Sequence, residues 1–311
     1  MIKGLFADAS PFSQLMMLAF CMVACYLLFS LTGLLLAPYI FGVPVVELKH
    51  IFNSDTAVQY LNLMRYVQVL QSISLFIAPT FIAVYMFSGT DESSTRITVA
   101  NYLNLKQTAP IKSYGIVLLL MLTAIPCINL LAALNEMIVF PESLSGLEQR
   151  LRDLEESAAQ LTELFLKVDH VGGMFFNIFM IAILAAIGEE LIFRGLLQKI
   201  FTRWIGNVHL SIIITGFLFS LMHMQFYGFF PRWLLGAMFG YLLVWSGTLW
   251  LPIFAHFVNN AVAVIFSYLI RKGTVSDKIE IFGSTQHEIP VTIVATALCA
   301  YLLWKIFSIK N

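Results

Sequence analysis

Charge is scarce in this sequence. Its 311 residues include 18 Lys and Arg and 18 Asp and Glu, 12% in all, against roughly a quarter in a soluble globular chain. The formal net charge is zero, so no basic surface points to a nucleic-acid partner, and none is expected. Cysteine is scarce as well. Cys21, Cys25, Cys127 and Cys299 all lie inside apolar runs and form no CxxC pair, which reads as small core residues rather than zinc ligands or a disulfide framework. No polar stretch is long enough to fold alone in water, and no internal repeat is found. Several hydrolase signatures are also missing. "HEIPV" starts an HExxH at His287 but lacks the second His, there is no GxSxG, and no pair of intramembrane aspartates.

Apolar residues are what the chain has, at 59% with a mean hydropathy of +0.84. A helix needs about 20 apolar residues to cross the hydrocarbon core. On that rule the fold is all-α, a polytopic integral membrane helical bundle of about eight transmembrane helices. The expected spans lie near 14–40, 66–88, 114–138, 172–200, 207–227, 231–246, 250–270 and 289–307, the sixth being short. The first run is too long for a signal-peptide core and no small-residue cleavage site follows it, so it is expected to be retained. Basic residues after the fourth span (Lys199, Arg203), between the second and third (Arg96, Lys106, Lys112) and at the C-terminus (Lys305, Lys310) favour cytoplasmic termini; Arg271, Lys272 and Lys278 oppose this.

Two connections carry pattern. Residues 45–65 suit a short interfacial helix. In 141–170, Leu144, Leu147, Leu151, Leu154, Ala158, Leu161 and Phe165 recur at alternating three and four. That spacing predicts an amphipathic helix with an acidic polar face, lying on the membrane or over the bundle; a partner contact or a substrate gate are its other uses. Ser145 and Glu148 are spaced as a capping box.

Ionisable side chains within spans are costly and need an account. "GEELIFRG" holds Glu189, Glu190 and Arg194 at the end of the fourth span. Glu190 and Arg194 are i and i+4 and can pair. Glu189 is rotated by about 100° and is left facing something else. An inward ion pair that fixes packing would explain Glu190 and Arg194 but not Glu189. "FSLMH" ends in His223, and "HFVNN" places His256 and Asn260 on one helix face; taken singly, each would suit interhelical hydrogen bonding. Gly236-x-x-x-Gly240 in "GAMFG" is a close-packing face with no chemistry implied.

Depth brings three of these clusters together. Glu189 lies about 15 residues before the turn near 204–207 and His223 about 16 after it, so both are about 22–24 Å from that turn at 1.5 Å per residue. That level is about 10–15 Å below the membrane surface, and His256 and Asn260, entering from the same face near 250–252, lie about 6–13 Å deep. A carboxylate, two imidazoles and an amide thus share one layer. A desolvated Glu suits general-base work on water, His orients water or shuttles protons, and a His–Asn face stabilises an oxyanion. The set suits hydrolysis of an amide or ester without a nucleophilic Ser or Cys. Glu and two His would equally hold zinc.

"EELIFRG", "FSLMH" and "HFVNN" resemble, in order and spacing, the EExxxR, FxxxH and HxxxN motifs of the CPBP family. This family comprises type II CAAX prenyl endopeptidases and bacteriocin-processing or immunity (Abi) relatives. The resemblance covers about a third of the chain. It implies three regions: N-terminal transmembrane helices over 1–171, a catalytic core over 172–270, and a C-terminal loop and last helix over 271–311. It also implies an intramembrane endopeptidase of the bacterial cytoplasmic membrane, with its cavity open to the cytoplasm and a membrane-associated protein or peptide, prenylated in the CAAX case, as substrate. Glu189 would activate water, His223 would hold or polarise it, His256 and Asn260 would stabilise the oxyanion, and Glu190 with Arg194 would support the helix geometry. The resemblance implies either a zinc-dependent metalloprotease or a glutamate-dependent enzyme without metal. The alternative is a non-proteolytic scaffold or bacteriocin-immunity partner; a transporter would more naturally show broken helices in paired halves.

Overall fold

The computed structural model describes residues 4–43, 60–89 and 98–310. Among these there is no strand. The long helices are α1 (Pro11–Phe41), α2 (Leu61–Phe87), α3 (Ile111–Glu136), α4 (Ser145–Leu166), α5 (Val171–Ile205), α6 (Val208–Met222), α7 (Phe229–Ser246), α8 (Trp250–Arg271) and α9 (Ile289–Lys310). All but α4 run along the bundle, giving the all-α polytopic bundle expected from composition. Six of them, α1, α2, α3, α5, α8 and the segment Gln286–Ile309 that contains α9, are long and apolar enough to cross a membrane. The two ends of the described chain lie on the same side. Arg203 at the foot of α5 donates to the Ala9 carbonyl, and Phe307 of α9 meets Trp245 at the foot of α7.

The fifth span is shorter than the sequence implied, and the sixth, expected to be short, starts two residues earlier than expected. α6 stops at Met222 rather than continuing to 227. At 15 residues it is about 22 Å long, against a hydrocarbon core of about 30 Å. α7, at 18 residues, is about 27 Å. The intervening residues 223–228 are non-helical, and backbone of that kind is tolerated at membrane depth only where protein satisfies it. Here neighbouring helices supply the partners. Glu155 of α4 accepts from Tyr227 N (3.0 Å) and Gln225 Nε2 (3.2 Å). Asn135 at the end of α3 donates to Phe226 O (3.0 Å) and accepts from Phe230 N (2.9 Å).

α4 therefore lies across the end of the bundle. The stripe does not face inward along its whole length, however. Phe165 is buried against α1, α2 and α5, while Leu144, Leu147 and Leu154 are exposed. Of its acidic residues Glu148 and Glu155 are half-buried against the protein while Asp153, Glu156 and Glu163 are exposed; Arg152 lies over the Tyr227 ring at 4.5 Å and pairs with Glu148 at 2.7 Å. The expected capping box is not formed. Ser145 is already the first helical residue, and the Glu148 carboxylate accepts from Phe140 N (3.3 Å) and Arg152 instead. Most of the 45–65 segment, like Arg96, falls outside the described residues.

Small residues set the close approaches, as they must where lipid supplies no hydrophobic drive between helices. A Cβ on Gly216 of α6 would lie 2.8 Å from Ala237 N of α7, and one on Gly188 of α5 would lie 2.9 Å from the Phe76 side chain of α2. Three stretches are wound as π-helix: Ile73–Ile77 in α2, and Ile178–Leu184 and Phe193–Leu197 in α5. The two in α5 flank the segment that carries Glu189 and Glu190.

Candidate active site

The site is built outward from a buried ion pair. Glu190 and Arg194 are both completely excluded from solvent and meet at 2.7 Å, one helical turn apart on α5. The second Arg194 amino group donates to the Gly236 carbonyl of α7 at 2.6 Å. That carbonyl is within reach because Gly216 and Gly236 let α6 and α7 nearly touch. The guanidinium lies over the rings of Phe219 and Phe239, at 4.7 and 5.4 Å. One turn further on, Gln198 repeats the arrangement, its amide donating to the Gly240 carbonyl at 3.2 Å. The GxxxG spacing of α7 is thus both a packing face and a pair of acceptors. Sequence reasoning did not find these acceptors. The signal was present in the matching four-residue spacing of Arg194–Gln198 and Gly236–Gly240.

His256 of α8 completes the core. Its Nδ1 lies 2.9 Å from the same Glu190 oxygen that Arg194 contacts. A carboxylate oxygen accepts, so this contact puts the proton on Nδ1 and fixes the ring orientation. Phe239 stacks on the imidazole at 5.2 Å and Phe219 meets its edge at 5.7 Å. Nε2 then points toward Glu189, with Nε2 to Oε2 at 3.9 Å. Two acceptors face each other across that gap unless a proton is shared between them. The second Glu189 oxygen contact is otherwise empty: Oε2 is buried without a hydrogen-bond partner, though the side chain retains 12% exposure.

His223 follows α6 directly, and its Nδ1 lies 2.9 Å from Phe219 O. A carbonyl only accepts, so Nδ1 donates and Nε2 is again the open nitrogen. Its ring meets Phe219 at 5.1 Å, which places Phe219 between the two imidazoles. Glu189 lies within electrostatic range of His223. Asn260, a turn along α8 from His256, does not contact these groups. Its amide donates to Ile181 O (3.0 Å) and its carbonyl accepts from Asn259 (3.1 Å). Ile181 sits in a π-helical stretch, whose wider turn leaves a carbonyl without its ordinary helical partner. The structure therefore gathers Glu189, Glu190, Arg194, His223 and His256 around Phe219, with Asn260 bound to the adjacent irregular turn. No sequence pattern predicts that turn.

Among the described residues, no three His, Cys, Asp or Glu side chains are gathered as a metal ion would require. The donors left open, Glu189 Oε2 and the Nε2 atoms of His223 and His256, do not form such a group.

All six residues fall within one stretch of the chain. Residues 172–262 match the type II CAAX prenyl endopeptidase Rce1-like family model. The chain is also similar to two proteins of Bacillus subtilis (strain 168). It is 36% identical over 90 residues to the sporulation-killing factor biosynthesis protein SkfC, covering 27% of this chain and 18% of that protein. It is 29% identical over 93 residues to the uncharacterized protein YpbD, covering 28% of this chain and 43% of that protein. Each match thus spans less than half of the relative. No solved structure matches. What is shared is the core around the EE pair, not the whole bundle.

Proposed function

We propose that this integral membrane protein is an intramembrane endopeptidase, hydrolysing a peptide bond of a membrane-associated protein or peptide with a water activated by Glu189. The observation that carries this reading is the division of labour between adjacent carboxylates. Both carboxylates keep a buried Oε2 without a hydrogen-bond partner, but Glu190, wholly excluded from solvent, holds Arg194 and His256 through its Oε1, whereas the Glu189 side chain engages neither, keeps 12% exposure and faces the open His256 Nε2 at 3.9 Å. A buried ion pair that only fixed helix packing would not need Glu189.

In the reaction, Glu189 takes one proton from water as the oxygen adds to the scissile carbonyl carbon. The proton shared across the Glu189–His256 gap, when it sits on His256 Nε2, leaves Glu189 ionised as the base and lets that nitrogen donate to the tetrahedral oxyanion, with the Asn260 side of α8 shaping that wall. The Glu189 carboxyl then returns its proton to the amine nitrogen as the C–N bond breaks, giving a carboxylate and an amine. No step is routed through a metal. The similarity to CAAX prenyl endopeptidases makes a prenylated C-terminal tail the first substrate to offer, with the site reached near the cytoplasmic face.

The test compares wild type with Glu189→Gln in nanodiscs, using quenched peptides that include farnesylated CAAX tails, with and without chelator. Cleavage by wild type that survives chelator and falls by roughly 10²–10⁴-fold in the variant is the expected result. Equal cleavage by both proteins would sink the assignment of Glu189. A scaffold or immunity partner would show no cleavage in either protein and unchanged partner binding in the variant.

A further inference from the structure

Opposite α4, the bundle ends in a belt of aromatic residues. Trp204 stacks on Phe201 and meets Phe12, Trp250 donates its indole N–H to Leu105 O, and Tyr241 contacts His209. Trp and Tyr gathered at one level mark a membrane–water interface. At this level a cavity of about 490 Å³ opens between α5, the start of α6 and the end of α7. Its walls include Asn104, Gln198, Lys199, Arg203 and Gly247.

Asn104 makes one wall rigid. It adopts the left-handed conformation (φ 58°), which Asn tolerates better than most residues. Its backbone carbonyl accepts from Leu249 N and Thr248 Oγ1, and its amide donates to Gly247 O. Lys199 is held against this wall, donating to Tyr102 O and Asn104 Oδ1. Arg203 donates to Ala9 O. These acceptors are neutral; they orient two cations without compensating their charge. Among the described residues, no carboxylate lies within 4.0 Å of either cation. An ammonium has three donors and a guanidinium five, so both keep N–H groups to spare. Gln198, also in the wall, leaves Oε1 buried without a donor. Lys199 is half-buried without a counter-charge, which is unfavourable, and Arg203 is exposed at the rim; basic pockets between helices at the membrane surface suit phosphate-bearing headgroups.

We infer that this cavity is a binding site for a phosphate anion, carried either by a phospholipid headgroup or by a free phosphate, held by Lys199 and Arg203. The site is separate from the Glu189 centre and independent of its chemistry.

The test uses the full chain in detergent and in nanodiscs of phosphatidylcholine with or without phosphatidylglycerol. Native mass spectrometry reads retained lipid, and a thermal melt reads stabilisation. Wild type should retain phosphatidylglycerol several-fold over phosphatidylcholine and melt higher with it, and the double variant Lys199→Met/Arg203→Gln should lose both effects. Inorganic phosphate at matched ionic strength separates the sources. If it reproduces the melting shift and displaces the lipid, the natural occupant is a free phosphate; if only the lipid acts, the occupant is the headgroup. Should the double variant fail to fold, the charge-keeping Lys199→Arg should preserve binding, as should Lys106→Gln on the exposed loop. Equal retention of both lipids with no response to phosphate would overturn the inference, as would undiminished anion binding in the double variant.

Discussion

Replacing Glu190 by Gln would leave the Arg194 guanidinium buried beside aromatic rings with no counter-charge. Breaking one partner of such a pair costs about 3–5 kcal/mol, so the variant should melt several degrees lower as well as lose activity. Glu189→Gln removes no ion pair from the interior and should melt close to wild type. A thermal series on the two purified variants checks this. Equal destabilisation would mean that Glu189 is as structural as its neighbour. At this scale the sequence was readable where residues one turn apart pair directly, as Glu190 and Arg194 do. It was unreadable where a side chain meets backbone from another helix. The Gly236 and Ile181 carbonyls carry no mark in their own residue type.

Helix α4 is a latch made of two carboxylates. Glu155→Ala should expose Tyr227 N and Gln225, raising deuterium uptake in 223–228 while leaving α5 protected; unchanged uptake would show that Asn135 alone secures the loop. The pH response follows from Glu148. Hydrogen bonding from Arg152 holds its carboxyl below the usual range. A group with a lowered folded pKa stabilises the docked helix above its unfolded value and loses that contribution as pH falls through the folded one. Uptake in 145–155 should therefore be flat near neutrality and rise only below the ordinary carboxylate value of about 4.3. A rise near neutral pH would point to another group. The amphipathic period of α4 was plain in the sequence. Its orientation was not, because Glu148 satisfies the Phe140 amide and Arg152 rather than its own helix cap, and Glu155 is drawn to a loop whose need appears only once α6 stops early.

For the whole molecule, the arithmetic of 1.5 Å per residue placed Glu189, His223, His256 and Asn260 in one layer; Glu189 lies 3.9 Å from His256 and both imidazoles meet the Phe219 ring, while Asn260 turns to Ile181 O. Depth was legible because antiparallel helices share a common floor. Span length was less so, since the apolar run past Met222 reads the same whether helical or not. The short α6 and α7 imply a bundle locally thinner than the bilayer, and such mismatch costs fractions of a kcal/mol per ångström. Cleavage should be faster in nanodiscs of short-chain lipid than in long-chain ones, with wild-type detergent activity as reference. A rate indifferent to acyl length would count against a thinned site.

Arg194 and Gln198 grip Gly236 and Gly240 like two teeth of a rack. Sliding α7 along α5 by a single residue would disengage both at once, so the two helices can only travel together, with the α6–α7 hairpin as passenger. Freedom to admit a polypeptide must then be found on the other flank, where α4 and its loop are held from outside the rack.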